Sequence, residues 1–78
     1  MDVKEHDLPG IGKKFAVQTR HGDRMTVIIH NTGHREIYHF EPGGDYPNHA
    51  VRLEDAEARQ FGAILGGAYF QPTVAPSM

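Results

Sequence analysis

Arg24 to Phe40, RMTVIIHNTGHREIYHF, decides the fold. It reads as two strands joined at Thr32-Gly33. Val27, Ile28 and Ile29 are β-branched and consecutive, which suits a central strand covered on both faces. Ile37-Tyr38-His39-Phe40 is the partner strand, rich in residues that favour a pleated surface. A two-residue turn would set Val27 opposite Tyr38 and Met25 opposite Phe40, gathering one apolar face. A bulged three-residue turn is the alternative, because isoleucine stands on both faces. Ile28 and Ile37 then mark a second apolar face, and a two-faced sheet in so short a chain needs something to cover it.

Upstream, Val3 to Leu8 (VKEHDL) alternates weakly and reads as a short edge strand whose charges discourage edge pairing. Pro9-Gly10-Ile11-Gly12 follows. Proline fixes one φ and glycine permits positive values, so this is a tight turn with Gly10 or Gly12 in the left-handed region. A phosphate cradle would need a third glycine where Phe15 stands, and a helix where a strand pattern follows. Lys13 to Arg20 places Phe15, Val17 and Thr19 on one face. To share that face with Met25, Val27 and Ile29, odd positions must oppose odd positions. That parity calls for a three-residue loop, Arg20-His21-Gly22, with Gly22 left-handed.

Downstream, Glu41 to His49 is a loop by composition, with two prolines and two glycines. Ala50 to Leu53 reads as a short strand. Glu54 to Leu65 is the helix. Its first turn holds Glu54, Asp55 and Glu57, which favour the dipole, and Asp55 can pair with Arg59 one turn on. Phe61, Ile64, Leu65 and Ala68 form the stripe expected to be buried, and Gly66-Gly67 ends the helix. Ala68 to Met78 lacks periodicity and reads as a linker or extended arm anchored by Tyr69 and Phe70. The fold class is therefore α+β: an antiparallel sheet of four to five strands, built from two consecutive hairpins, with one C-terminal helix packed on it. Residues 1–67 form the domain and 68–78 the arm.

With 78 residues and no cysteine, the chain is one domain with no disulfide or thiolate metal site to reinforce its core. Burial against chain entropy comes out near zero for such a chain, so a partner is expected. No apolar run approaches the ~20 residues of a membrane span, and no signal sequence opens the chain. The net charge is −2 and the eight Lys/Arg are scattered, which argues against a nucleic-acid surface.

Six histidines are the unusual feature of the composition. Under the two-residue turn His30 faces Arg35 and His39 faces Thr26, about 13 Å apart along the strands. That is too far to share an ion, so no metal ligands are assigned; only the bulged turn sets His30 against His34. His30, His34 and His39 are candidate pH-sensing groups, since protonating all six histidines would carry the net charge from −2 to +4. The carboxylates include no evident pair, and Thr19, Thr26, Thr32 and Ser77 sit in no nucleophile frame, so neither catalytic residues nor a cofactor site are assigned. Ile28, Arg35, Ile37, Tyr69 and Phe70 are the candidate interaction residues. Ile28, Ile37 and the two tail aromatics exceed what one helix can cover, which predicts a homodimer.

Three blocks carry a family resemblance. Asp7-Leu8-Pro9-Gly10-Ile11-Gly12-Lys13-Lys14-Phe15, then Arg35-Glu36-Ile37-Tyr38-His39-Phe40, then Glu54-Asp55-Ala56-Glu57-Ala58-Arg59 with Gly62-Ala63-Ile64-Leu65-Gly66-Gly67 resemble, in order, the N-terminal domain of KhtT-like regulatory subunits of bacterial potassium/proton antiporters. Glu54 departs from the Ser or Thr expected as helix cap. The resemblance implies a cytoplasmic protein, peripheral to the inner face of the membrane, with a C-terminal ligand-binding domain of the RCK_C (TrkA-C) type beyond Met78. It places c-di-AMP in that further domain and none here. It implies a non-catalytic regulatory domain acting through protein contacts with the antiporter and its own RCK_C domain. A histidine-rich domain binding a small ligand or metal is the alternative function.

Overall fold

A computed structural model describes residues 1–68. Five strands run in one antiparallel sheet in chain order: β1 (Asp2–Leu8), β2 (Gly12–Gln18), β3 (Arg24–His30), β4 (Arg35–Phe40) and β5 (Pro47–Leu53). One helix, α1 (Asp55–Leu65), follows. The α+β class and the antiparallel sheet with a single C-terminal helix are as the sequence predicts.

The β2–β3 hairpin has the expected parity. Phe15 lies opposite Val27 and Val17 opposite Met25. The Thr19 N–H donates to the Asp23 carbonyl at 2.8 Å, closing the loop Arg20-His21-Gly22, and Gly22 has φ +92°. The β1–β2 turn also has its expected form. Ile11 N–H donates to the Leu8 carbonyl, with Gly10 at φ +78°, the conformation a Pro-Gly type II turn requires.

The β3–β4 hairpin corrects the two-residue turn. Val27 pairs with Ile37, Thr26 with Tyr38 and Met25 with His39. The His30 N–H donates to the His34 carbonyl, so Asn31-Thr32-Gly33 is a three-residue loop, with Gly33 at φ +105°. The alternative register wins because it stacks Ile37 between Val27 and Val51, with β-branched neighbours on both sides. A second correction concerns β5, which begins at Pro47 rather than Ala50. Proline is admissible at the start of an edge strand, and a bulge at Asn48 absorbs the extra residue between the His39–His49 and Phe40–Pro47 pairs.

These registers give the sheet two distinct faces. Odd positions carry Val3, Phe15, Val17, Met25, Val27, Ile29, Ile37, Val51 and Leu53. Even positions carry Lys4, His6, Lys14, Thr26, Ile28, His30, Glu36, Tyr38 and Arg52 among others. Odd positions also carry Glu5, Asp7, Lys13, Arg35, His39 and His49, so the odd face is apolar at its centre and the even face mixed throughout.

No described residue is fully buried. On the odd face Val3, Ile29 and Val51 are exposed, and on α1 Phe61, Ile64 and Leu65 are 44, 54 and 73% exposed. The stripe expected to be buried is therefore open. The helix turns away after its first residues and meets the strands mainly at β5. Its start is well anchored. Arg35 Nη1 donates to Asp55 Oδ1 at 2.8 Å and to the Gly33 carbonyl, Arg59 pairs with Asp55 at 3.0 Å, and Glu57 accepts from the Glu54 N–H at 2.9 Å. The Glu54–Glu57 arrangement is a capping box, so glutamate replaces the expected Ser or Thr without loss of the cap.

Candidate functional site

The β1–β2 turn, the β3–β4 turn and the start of α1 all lie at one end of the sheet. Gly12 is why they fit. It sits opposite His30, and a Cβ there would lie 1.9 Å from the Ile29 carbonyl oxygen. Only glycine lets the backbones approach this closely. The Asn31 N–H then donates to the Ile11 carbonyl at 2.7 Å, tying the two turns together.

On this rim the three-residue turn assembles a cluster that the two-residue turn would have separated. The His30 and His34 rings stack with centroids 3.9 Å apart and 14° between planes. His30 Nε2–H donates to Glu36 Oε1 at 2.7 Å, and both side chains are partly buried, 20 and 32% exposed. The hydrogen bond from His30 holds the Glu36 carboxyl below the usual carboxylate range, against the opposing effect of burial. Burial, with the Glu36 charge beside it, pushes the Tyr38 phenol upward. Thr32 Oγ1 lies 3.0 Å from His34 Nδ1 and fixes that ring. One potential ligand atom from each of His30, His34 and Glu36 lies within 4.8 Å of the others.

The remaining candidates are scattered. His39 is at the far end of its strand, opposite Met25, with Nδ1 2.9 Å from Asn48 Oδ1 and Nε2 3.7 Å from Asp23. The three candidate pH-sensing histidines are therefore divided between the two ends of the sheet. The second apolar face expected from Ile28 and Ile37 is corrected: the three-residue turn puts Ile37 beside Val27 on the odd face and Ile28 beside Glu36 on the even face. Arg35 is occupied by Asp55 and Gly33 and anchors the helix. Tyr69 and Phe70 lie outside the described residues. Glu36 is the residue the sequence reading missed. Its signal was its place two residues after His34 in a turn that brings His30 back alongside. A shallow depression of about 280 Å³ at the opposite end, lined by residues such as Ala16, Thr26 and Phe40, brings together no comparable set.

Similarity to known proteins then fixes the family. The family model for "K(+)/H(+) antiporter subunit KhtT, N-terminal domain" matches residues 1–69. The chain belongs to the KhtT N-terminal domain family. Over its whole length this KhtT N-terminal domain is 49% identical to the K(+)/H(+) antiporter subunit KhtT of Bacillus subtilis (strain 168), of which it covers 48%. Over 92% of its length it is 38% identical to the Ammonium/H(+) antiporter subunit AmhM of Alkalihalophilus pseudofirmus, of which it covers 44%. The chain thus spans about half the length of these relatives. No helix among its described residues is long and apolar enough to cross a membrane.

Proposed function

We propose that this chain is a non-catalytic regulatory domain of a cytoplasmic subunit that controls a potassium (cation)/proton antiporter, and that it works through protein contacts. The observation that carries this reading is the uncovered apolar surface formed by the odd face of the sheet and the outer half of α1. A domain with no fully buried residue among its described residues has little burial to set against chain entropy, so we infer that its stability depends on a partner. Open apolar surface of this extent is a contact surface. The names of the two relatives, both antiporter subunits, support the transport context.

The first occupant of that surface is a second copy of the chain. The odd face carries Glu5 and Asp7 along β1, and His39 and His49 along β4 and β5. A two-fold pairing of odd faces puts Val27 and Ile37 at its centre; Glu5 and Asp7 are already held by Lys13 of the same face, so the apolar centre carries the contact. The reading also includes C-terminal RCK_C domains, which hold any c-di-AMP; apart from Ala68, the expected arm of residues 68–78 lies outside the described residues. The cytosolic side of the antiporter completes the assembly.

The experiment is cation/proton exchange in membrane vesicles containing the antiporter and its full-length subunit. Ile37→Asp, and Val51→Asp at a more exposed position of the same face, should lose control of exchange while the subunit remains present. Normal control by both folded variants removes the odd face from the mechanism. Normal control by a subunit lacking residues 1–67 overturns the functional reading itself.

A further inference from the structure

We propose that His30, His34 and Glu36 form a binding site for one divalent transition-metal ion of the zinc class. The donor set is two imidazoles and a carboxylate, which suits zinc, cobalt or nickel and not the all-oxygen shells of calcium or magnesium. Their ligand atoms lie within 4.8 Å of one another, and His30 and Glu36 already meet at 2.7 Å. The His30 and His34 rings are stacked, so closing the set around an ion requires them to swing apart until a lone pair of each points at one centre, which their places on one short turn and its flanking strands allow.

Three further features separate this cluster from histidines scattered on a surface. Thr32 Oγ1 lies 3.0 Å from His34 Nδ1; in the tautomer in which Nδ1–H donates to that hydroxyl, Nε2 is left as the free ligand atom, the usual way a ligating histidine is oriented by a neighbour. The turn that carries the cluster is rigid, since Gly12 admits close backbone contact at His30 and Asn31 is hydrogen-bonded to Ile11. The nearest cation by register, Arg52 opposite Glu36, is turned to Glu54, with Nε 3.2 Å from Oε2, which leaves the carboxylate to the imidazoles. Three protein donors leave a fourth tetrahedral position for water or for a group brought by a partner.

The site is on the even face of the sheet, whereas the proposed contact surface is on the odd face, so the two proposals can fail separately. The test is isothermal titration of zinc chloride into the tag-free chain at pH 7.5, with cobalt substitution read by visible absorption. One zinc per chain is expected, and cobalt should give the intense visible bands of a tetrahedral site. His34→Ala and Glu36→Gln should each weaken zinc binding by at least ~10-fold. His21→Ala, in the turn at the other end of the sheet, should leave it unchanged. Absence of saturable zinc binding overturns the proposal. So does binding that survives His30→Ala/His34→Ala, or that falls equally with His21→Ala.

Discussion

The two faces of the sheet are built from the same strands and do different work. The odd face is apolar at its centre, at Phe15, Val27, Ile37 and Val51, yet Val3, Ile29 and Val51 remain exposed. Even positions mix apolar residues with charged groups, of which His30 and Glu36 pair with each other. Among the described strand residues, the exposed large apolar side chains Val3, Ile29 and Val51 all lie on the odd face. On the proposed reading, this division leaves one face to associate while the other keeps a polar cluster at its rim. Breaking one face should leave the properties of the other in place.

The largest effect comes from the residue that both faces depend on. Gly12→Ala drives a methyl group into the Ile29 carbonyl, a backbone atom that cannot move aside without shifting β3. A loss of about 3 kcal/mol or more is expected, enough to unfold so small a domain. Urea denaturation followed by circular dichroism measures it. Gly10→Ala meets no neighbouring atom within 4 Å but keeps φ at +78°, so its cost should be only about 1 kcal/mol. Equal costs at the two positions would mean that backbone conformation, and not close approach, is what Gly12 provides.

Substitutions on opposite faces sharpen the contrast. Val51→Ser on the odd face should raise the dimer dissociation constant about tenfold or more, since burying a valine contributes roughly 1.5 kcal/mol or more. Lys4→Ser on the even face should leave it unchanged. Sedimentation velocity over a concentration series reads both.

How much of this was legible in the sequence follows from how one-sided each strand is. The β2–β3 register could be derived because Phe15, Val17, Met25 and Val27 all fall on odd positions, and one loop length alone brings them together. The β3–β4 register resisted the same argument. Ile37 and the pair Tyr38 and Phe40 lie on opposite faces of β4, so apolar pattern supports either parity. Cross-strand packing of Val27, Ile37 and Val51 decided it, and β5 was only partly visible behind its proline and bulge. The His30–His34–Glu36 cluster depended on that same parity, which is why it was hidden. The helix stripe was read correctly as apolar. Its exposure was not legible, because periodicity says which side of a helix seeks burial and nothing about what meets it.

The smallest expected effect concerns the helix anchor beside the odd face. Hydrogen bonds from Arg59 and Arg35 hold the Asp55 carboxyl below its ordinary range. A carboxylate with a lowered folded-state pKa contributes stability that is fully present above the ordinary value near 4 and is lost as pH falls through the folded value. Helix content should therefore decline on acidification below about pH 4 in the native chain. In Asp55→Asn, whose side chain does not titrate, that part of the acid dependence should vanish. An unchanged acid profile in Asp55→Asn would assign the decline to other carboxylates.

The most direct test of the central claim is the mass of the chain in solution. Light scattering at micromolar concentration should give a dimer for the unaltered chain, and a monomer for Ile37→Asp or Val51→Asp that keeps its strand signal in circular dichroism. A folded, strictly monomeric unaltered chain would contradict the account, because the odd face would then be stable without the second copy.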